Sequence, residues 1–208
     1  MSSGTSLYDE VKKVVGKNIL LLFGPPGSGK TTFCLQVAKD KPTLFIDTEY
    51  GVEESEVPQN VDLVRAPNLD KLRDILKVRE RMKTYDVIVV DSIGMLIYPQ
   101  LARMSLKERS EIFMERGAVM FMLREFAALH GKLVILTTQP DYFGGTGGLE
   151  GAKYLHLAKE IWRCSIANSN PALTVVLIDT WVSRKFGRGK QLFKLKISSK
   201  GVDVQKLF

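Results

Sequence analysis

Two hydrophobic periods alternate along this chain. Short apolar runs at 18–23, 43–47, 61–65, 86–91 and 133–138 read as strands. Several, such as Val87-Ile88-Val89-Val90, are continuous and not alternating. Strands of that kind are covered on both faces, as in a parallel sheet flanked by helices. After an amphipathic opening from Leu7 to Val15, helical spacing appears at 31–39, 68–83 and 105–130. Right-handed crossovers turn this alternation into a doubly wound, mostly parallel α/β sheet. Beyond residue 160 the pattern changes. Segments 160–167 and 172–180 flank the turn signal Asn168-Ser169-Asn170-Pro171, and 190–197 and 202–206 flank Ser198-Ser199-Lys200-Gly201. These read as antiparallel strands that extend the sheet edge. The stretch from Gly144 to Gly151 reads as a mobile glycine-rich loop. No linker separates two units, so one domain is expected over 1–208.

Composition narrows the class. The 208 residues suffice for a substantial core. No apolar run approaches a bilayer span, and the polar start from Met1 to Lys17 is no signal peptide. Cys34 and Cys164 stand far apart without metal-type spacing. Free thiols fit a reducing cytoplasm, and Cys34 is expected to pack on the helix that opens at Thr31. The net charge of +7 is uneven: Arg184, Lys185, Arg188, Lys190, Lys194, Lys196 and Lys200 lie between Asp179 and Asp203 with no acidic residue among them. Such a segment suits a polyanion, or a phosphate at a subunit boundary. Lys194 and Lys196 also alternate with apolar residues, as on any half-exposed strand.

The candidate chemistry begins at Gly24-Pro25-Pro26-Gly27-Ser28-Gly29-Lys30-Thr31, followed by Thr32. It fits G-x-x-x-x-G-K-[ST] at every position, with the strand–loop–helix context that motif needs. Glycines let the loop N–H groups converge on phosphate oxygens at a helix N-terminus. Lys30 is expected to reach the β- and γ-phosphates, and Thr31 to ligate Mg²⁺. Asp91 closes the strand Val87–Asp91, where a carboxylate would support the metal through water. Glu49 follows the strand Leu44-Phe45-Ile46-Asp47 and is favoured over Asp47 as general base, because it lies beyond the strand end. Gln139 follows 133–138, where an amide could sense the γ-phosphate.

These pieces occur in the order GPPGSGKTT, FIDTE, VIVVDSI and LVILTTQ. That order and spacing resemble the RecA-type recombinases, notably the archaeal RadA and RadB branch. The resemblance spans nearly the whole chain. Its specific part is the phosphate loop combined with DTE and TTQ. It implies a RecA-like P-loop NTPase core that binds ATP and Mg²⁺, with Lys30, Thr31 and Asp91 at the phosphates and metal. Glu49 would activate water, and Gln139 would couple nucleotide state to a DNA loop. Residues roughly 93–105 and 140–152 would be the two DNA loops, with Met95, Tyr98, Arg103, Tyr142 and Phe143 as candidate contacts. Arg184, Lys185, Arg188 and Lys190 would act in trans on a neighbour's phosphate.

Departures from the family shape the expectation. The phosphate loop begins at Gly24, so the family's N-terminal helical domain is expected to be absent, and the run from Tyr50 to Glu56 lacks the arginine the family often places near adenine. The expected protein is a cytoplasmic paralogue: a DNA-dependent or weak ATPase assisting homologous recombination and repair. Its expected partners are single-stranded DNA, bound without sequence preference, a RadA-like recombinase or other repair protein, and other copies of itself. The alternative is a non-hydrolysing, ATP-switched mediator that binds such a recombinase. A small-molecule kinase is disfavoured by TTQ and by the lack of an arginine-rich lid.

Overall fold

The computed structural model describes residues 5–101, 103–140, 157–170 and 172–208. The glycine-rich stretch 144–151, with Tyr142 and Phe143, lies outside the described residues. The chain opens with α1 (Leu7–Val15), capped by the Ser6 hydroxyl, which accepts the Asp9 N–H at 3.2 Å. Then follow β1 (Ile19–Phe23), α2 (Lys30–Ala38), β2 (Thr43–Asp47), β3 (Val61–Arg65), α3 (Leu69–Lys77), α4 (Arg79–Lys83) and β4 (Val87–Asp91). After the short α5 (Tyr98–Leu101) come α6 (Leu106–His130) and β5 (Leu133–Thr138). The last elements are β6 (Glu160–Asn170), β7 (Leu173–Ser183), β8 (Gln191–Ser198) and β9 (Gly201–Lys206).

Among the described residues, nine strands join one sheet in the order β3-β2-β4-β5-β1-β6-β7-β8-β9. From β3 to β6 every pairing is parallel, and from β6 to β9 every pairing is antiparallel. Strands β1, β2, β4 and β5 are buried at every position. Their continuous apolar runs therefore mean what the sequence implies: helices cover both faces. α3 and α6 pack on one side, burying Leu72, Leu76, Met120 and Leu123. α1 and α2 pack on the other, where Phe33, Trp162 and Phe193 meet at ring-centroid distances of 5.5 to 6.4 Å. Among the described residues, no helix is long and apolar enough to cross a membrane.

Two elements differ from the expectation. The predicted helix 68–83 is broken at Val78, whose backbone leaves the helical region (φ −80°, ψ 63°). No Gly or Pro marks the break. Beyond it Met82 enters the core and the Tyr85 hydroxyl bonds Asp62. Tertiary contacts override the local helical pattern there. β6 and β7 also run further than predicted, to 11 residues each, with register shifts between Ile161 and Trp162 and between Ile166 and Asn168. Bulges let a long pair absorb twist without losing its pairing.

α6 starts at a capping box. Ser105 Oγ accepts the Glu108 N–H, and the Glu108 carboxylate accepts the Ser105 N–H at 2.7 Å. It ends at Gly131 in the left-handed conformation. Gly117 sits mid-helix, and a Cβ added there would meet nothing within 4 Å. Glycine inside a helix costs about 0.5–1 kcal/mol relative to alanine. Gly117→Ala is therefore expected to stabilise the fold by about that amount, read as a higher urea midpoint at unchanged slope.

Candidate functional site

The phosphate loop links the end of β1 to α2, between strands β5 and β6 of the sheet. Gly27 and Gly29 adopt φ of 73° and 78°, which side chains rarely tolerate. Gly24 has a different constraint: a Cβ there would stand 2.5 Å from the Cys164 carbonyl on β6. α2 has no side-chain cap, so its first-turn N–H groups lack intrahelical partners. Ser28 Oγ is buried and likewise without a hydrogen bond. Donors thus converge on the mouth of the loop, where an anion can satisfy them. Lys30 Nζ bonds the carbonyls of Gly24 and Pro25 at 2.8 and 3.0 Å. Burial lowers its pKa.

The cleft over the loop holds about 360 Å³. Pro26, Gly27, Ser28, Gly29, Lys30, Thr31 and Thr32 form its floor. Asp91, Glu49 and Gln139 join them from the ends of β4, β2 and β5, and Thr174 and Ile197 close the side. The pieces read from the sequence as phosphate loop, metal carboxylate, base and sensor therefore line one cavity. Thr31 donates to Asp91 Oδ2 at 2.5 Å, and Thr137 donates to the other oxygen. A hydroxyl and a carboxylate are hard oxygen donors, so the pair fits Mg²⁺. Burial raises the Asp91 pKa, against the two threonine bonds and Lys30.

That shift has a stability consequence. A carboxyl whose folded pKa exceeds its unfolded value subtracts stability above the unfolded pKa, and the penalty fades as pH falls through the folded pKa. Asp91→Asn is expected to raise the melting temperature at neutral pH, with the gain vanishing in acid. The same change removes a candidate metal ligand. Mg²⁺-dependent nucleotide turnover should fall by about 10²-fold, and the two effects are checked by pH-resolved thermal melts and a Mg²⁺ titration.

The sequence missed what holds Glu49 at the rim. Asp47 is buried at the end of β2 and is no rival base. Its carboxylate accepts the N–H groups of Glu49, Tyr50 and Val52 at 2.9, 2.8 and 3.0 Å and pairs with Arg65 at the end of β3. Thr48 ties β2 to β4: its N–H donates to the Asp91 carbonyl at 2.7 Å, and its hydroxyl exchanges bonds with the Ser92 N–H and carbonyl, both at 2.8 Å. Glu49 itself is exposed. The only sequence signal for this anchor was the neighbourhood of FIDTE, because Arg65 stands 18 residues away.

Beyond Thr31 and Thr32 the cleft widens into a second space of about 620 Å³. Gln36 and Lys39 of α2 form its floor, Gly51, Glu56, Val57 and Pro58 one wall, and Ile197 and Val202 the other. Among the described residues, no arginine lines it.

The remaining candidates lie elsewhere. Thr174 lines the cleft, whereas Ser183 ends the same strand beside Glu160. At strand rise, about 30 Å separates them. Arg184, Lys185, Arg188 and Lys190, in the turn that follows, are out of reach of their own chain's cleft. Arg188 lies over the Trp181 ring at 3.8 Å, and Glu160 accepts the Arg184 N–H at 3.1 Å. Lys194 and Lys196 flank the buried Leu195 on β8 and face away from the core, as on an ordinary half-exposed strand. Arg103 is exposed between α5 and α6. Tyr142 and Phe143 fall outside the described residues. Both cysteines are buried, and burial pushes the Cys164 thiol up to about 12. Neither is a nucleophile at neutral pH.

Comparison with known proteins agrees with this geometry. The AAA domain family model matches residues 16–118. The DNA repair and recombination protein RadB of Methanothermobacter thermautotrophicus is 27% identical over 159 residues, which are 64% of this chain and 64% of that protein. The chain thus spans less than two thirds of that relative's length. The Holliday junction branch migration complex subunit RuvB of Nostoc punctiforme is 38% identical over 77 residues, 37% of this chain and 17% of that protein. A crystal structure of the RadB recombinase superposes with a TM-score of 0.69 at 19% identity, covering 97% of this chain and 98% of that one. The chain has the fold of that RadB structure, built around a complete phosphate-loop motif, and is similar in sequence to RadB repair and recombination proteins.

Proposed function

We propose that the protein is an ATP-binding recombinase paralogue that hydrolyses ATP weakly and assists homologous recombination and DNA repair in the cytoplasm. One observation carries this reading: Lys30, Thr31, Asp91, Glu49 and Gln139, from four separate elements, line a single cleft over a complete phosphate loop. In this reading the loop N–H groups and Lys30 hold the phosphates. Thr31 and Asp91 hold Mg²⁺, which when bound neutralises charge on the β- and γ-oxygens. Glu49 orients and deprotonates the attacking water. Gln139, at the head of the proposed second DNA loop, reports the γ-phosphate to it. The wider cleft has room for the nucleoside, gripped by Val57 and Pro58 against Ile197 and Val202 without a stacking arginine.

Two features favour slow turnover by one chain alone. Its own basic residues at 184–190 cannot reach its own cleft, so charge stabilisation at the γ-phosphate must come from a neighbouring copy or another partner. The same basic segment gives a polyanion such as single-stranded DNA a place to bind without reading bases. The test is ATP hydrolysis with and without single-stranded DNA, at low and physiological salt. Stimulation by DNA that weakens steeply with salt supports the reading. Absence of ATP binding at millimolar Mg²⁺ would overturn it. Binding without turnover favours the mediator whose ATP site only switches partner affinity.

A further inference from the structure

The antiparallel strands beyond β6 build a wall of the phosphate cleft. In their register Ser169, Thr174, Ile197 and Val202 stand opposite one another and form one row across the sheet. Cross-strand partners share a face. This face is the α2 side, because Val176, two residues on from Thr174, is buried there with Phe33 and Trp162. It also touches the phosphate loop. A Cβ built on Gly29 would stand 3.1 Å from Val176 Cγ2 and 3.4 Å from Ile197 Cδ1.

Polarity changes along β7 where this face reaches the cleft. Ile178 and Val176 are buried and apolar, whereas Thr174 is half-buried in the cleft wall. The Ser169 and Thr174 hydroxyls lie 3.3 Å apart. A hydroxyl donates once and accepts twice, so with Ser169 donating to Thr174 the Thr174 hydrogen is free for the cleft.

Two placements say which part of a nucleotide meets it. Thr174 lines the space over the phosphate loop and not the wider space beyond, whereas Ile197 lines both. Glu49, Asp91 and Gln139 reach that space from strands on one side of β1, and Thr174 reaches it from the other. Thr174 therefore stands at the phosphates, at the end away from the metal pair and next to the nucleoside space. Among the described residues lining the phosphate space, Lys30 is the one cation. Neutral donors must serve the rest of the phosphate chain.

We propose that Thr174 binds the α-phosphate of a nucleoside di- or triphosphate, donating its hydroxyl hydrogen to a phosphate oxygen while Ser169 orients it. Resting on the nucleotide reading above, this adds a contact at the end of the phosphate chain remote from the metal.

The test is calorimetric binding of ATP and of 2′,3′-dideoxy-ATP, both with Mg²⁺, to the full chain and to its Thr174→Val and Thr174→Ser variants, beside melts without nucleotide. Valine keeps the branched shape and suits a strand, so the melting temperature should not fall. Thr174→Val should weaken both ligands by about tenfold, the contribution of a hydrogen bond to a charged group. Thr174→Ser keeps the hydroxyl and should stay within about threefold of the unmodified chain. Unchanged affinity in Thr174→Val overturns the assignment of Thr174 while the nucleotide reading stands. So does a loss that serine does not rescue, which would mark a damaged wall. A loss seen with ATP and absent with the dideoxy nucleotide puts the hydroxyl on the sugar and overturns the α-phosphate contact. No binding of ATP by the unmodified chain overturns both readings.

Discussion

Lys30→Met is expected to lower nucleotide affinity by about 10²-fold while leaving the fold intact or firmer. The ammonium reaches across the loop mouth to the Gly24 and Pro25 carbonyls, where an incoming phosphate would compete for it. A charge-assisted hydrogen bond in a dry site contributes about 1.5–3 kcal/mol, and about 1.4 kcal/mol is tenfold. Folding moves the other way. Burial lowers the Lys30 pKa, so the protonated side chain is costlier folded than unfolded below that pKa. Methionine keeps the volume and removes the charge. Equilibrium binding of a fluorescent ATP analogue, beside a thermal melt, reads both quantities. Lost affinity with a lower melting temperature would mean a damaged loop and no special role for the charge.

The phosphate loop was legible because its requirements are local. Left-handed glycines, a lysine and a helix start stand within eight residues. The central strands were legible because burial on both faces leaves no polar alternation to confuse. Val78 was not, since nothing in its own sequence ends a helix; the core position of Met82 decides it. The anchoring of the rim was not legible either. FIDTE favours Glu49 over Asp47 as the base but does not say what Asp47 does. Only the packing of Arg65 and three backbone N–H groups around Asp47 assigns it a structural task. The basic residues at 184–190 are legible in one respect and not in another. Their charge was plain in the sequence, but their distance from the cleft depends on the direction of β7, which local pattern does not reveal.

Glu49→Gln separates hydrolysis from switching. The substitution keeps the shape and removes the charge, and the loop backbone is held by Asp47, not by the Glu49 side chain. Nucleotide affinity should therefore stay within about twofold, the spread expected of an exposed substitution. A positioned general base contributes roughly 10²–10⁴ in rate, so single-turnover hydrolysis should fall by at least about 10²-fold. Thr48 makes this an unusually clean comparison. It joins the Glu49 strand to the Asp91 strand through three hydrogen bonds, so the metal side of the site stays put when the carboxylate is neutralised. An unchanged rate would remove Glu49 as the base. If the unmodified protein turns over no ATP, the variant should instead preserve every ATP-dependent effect on a partner, because binding alone then sets the state.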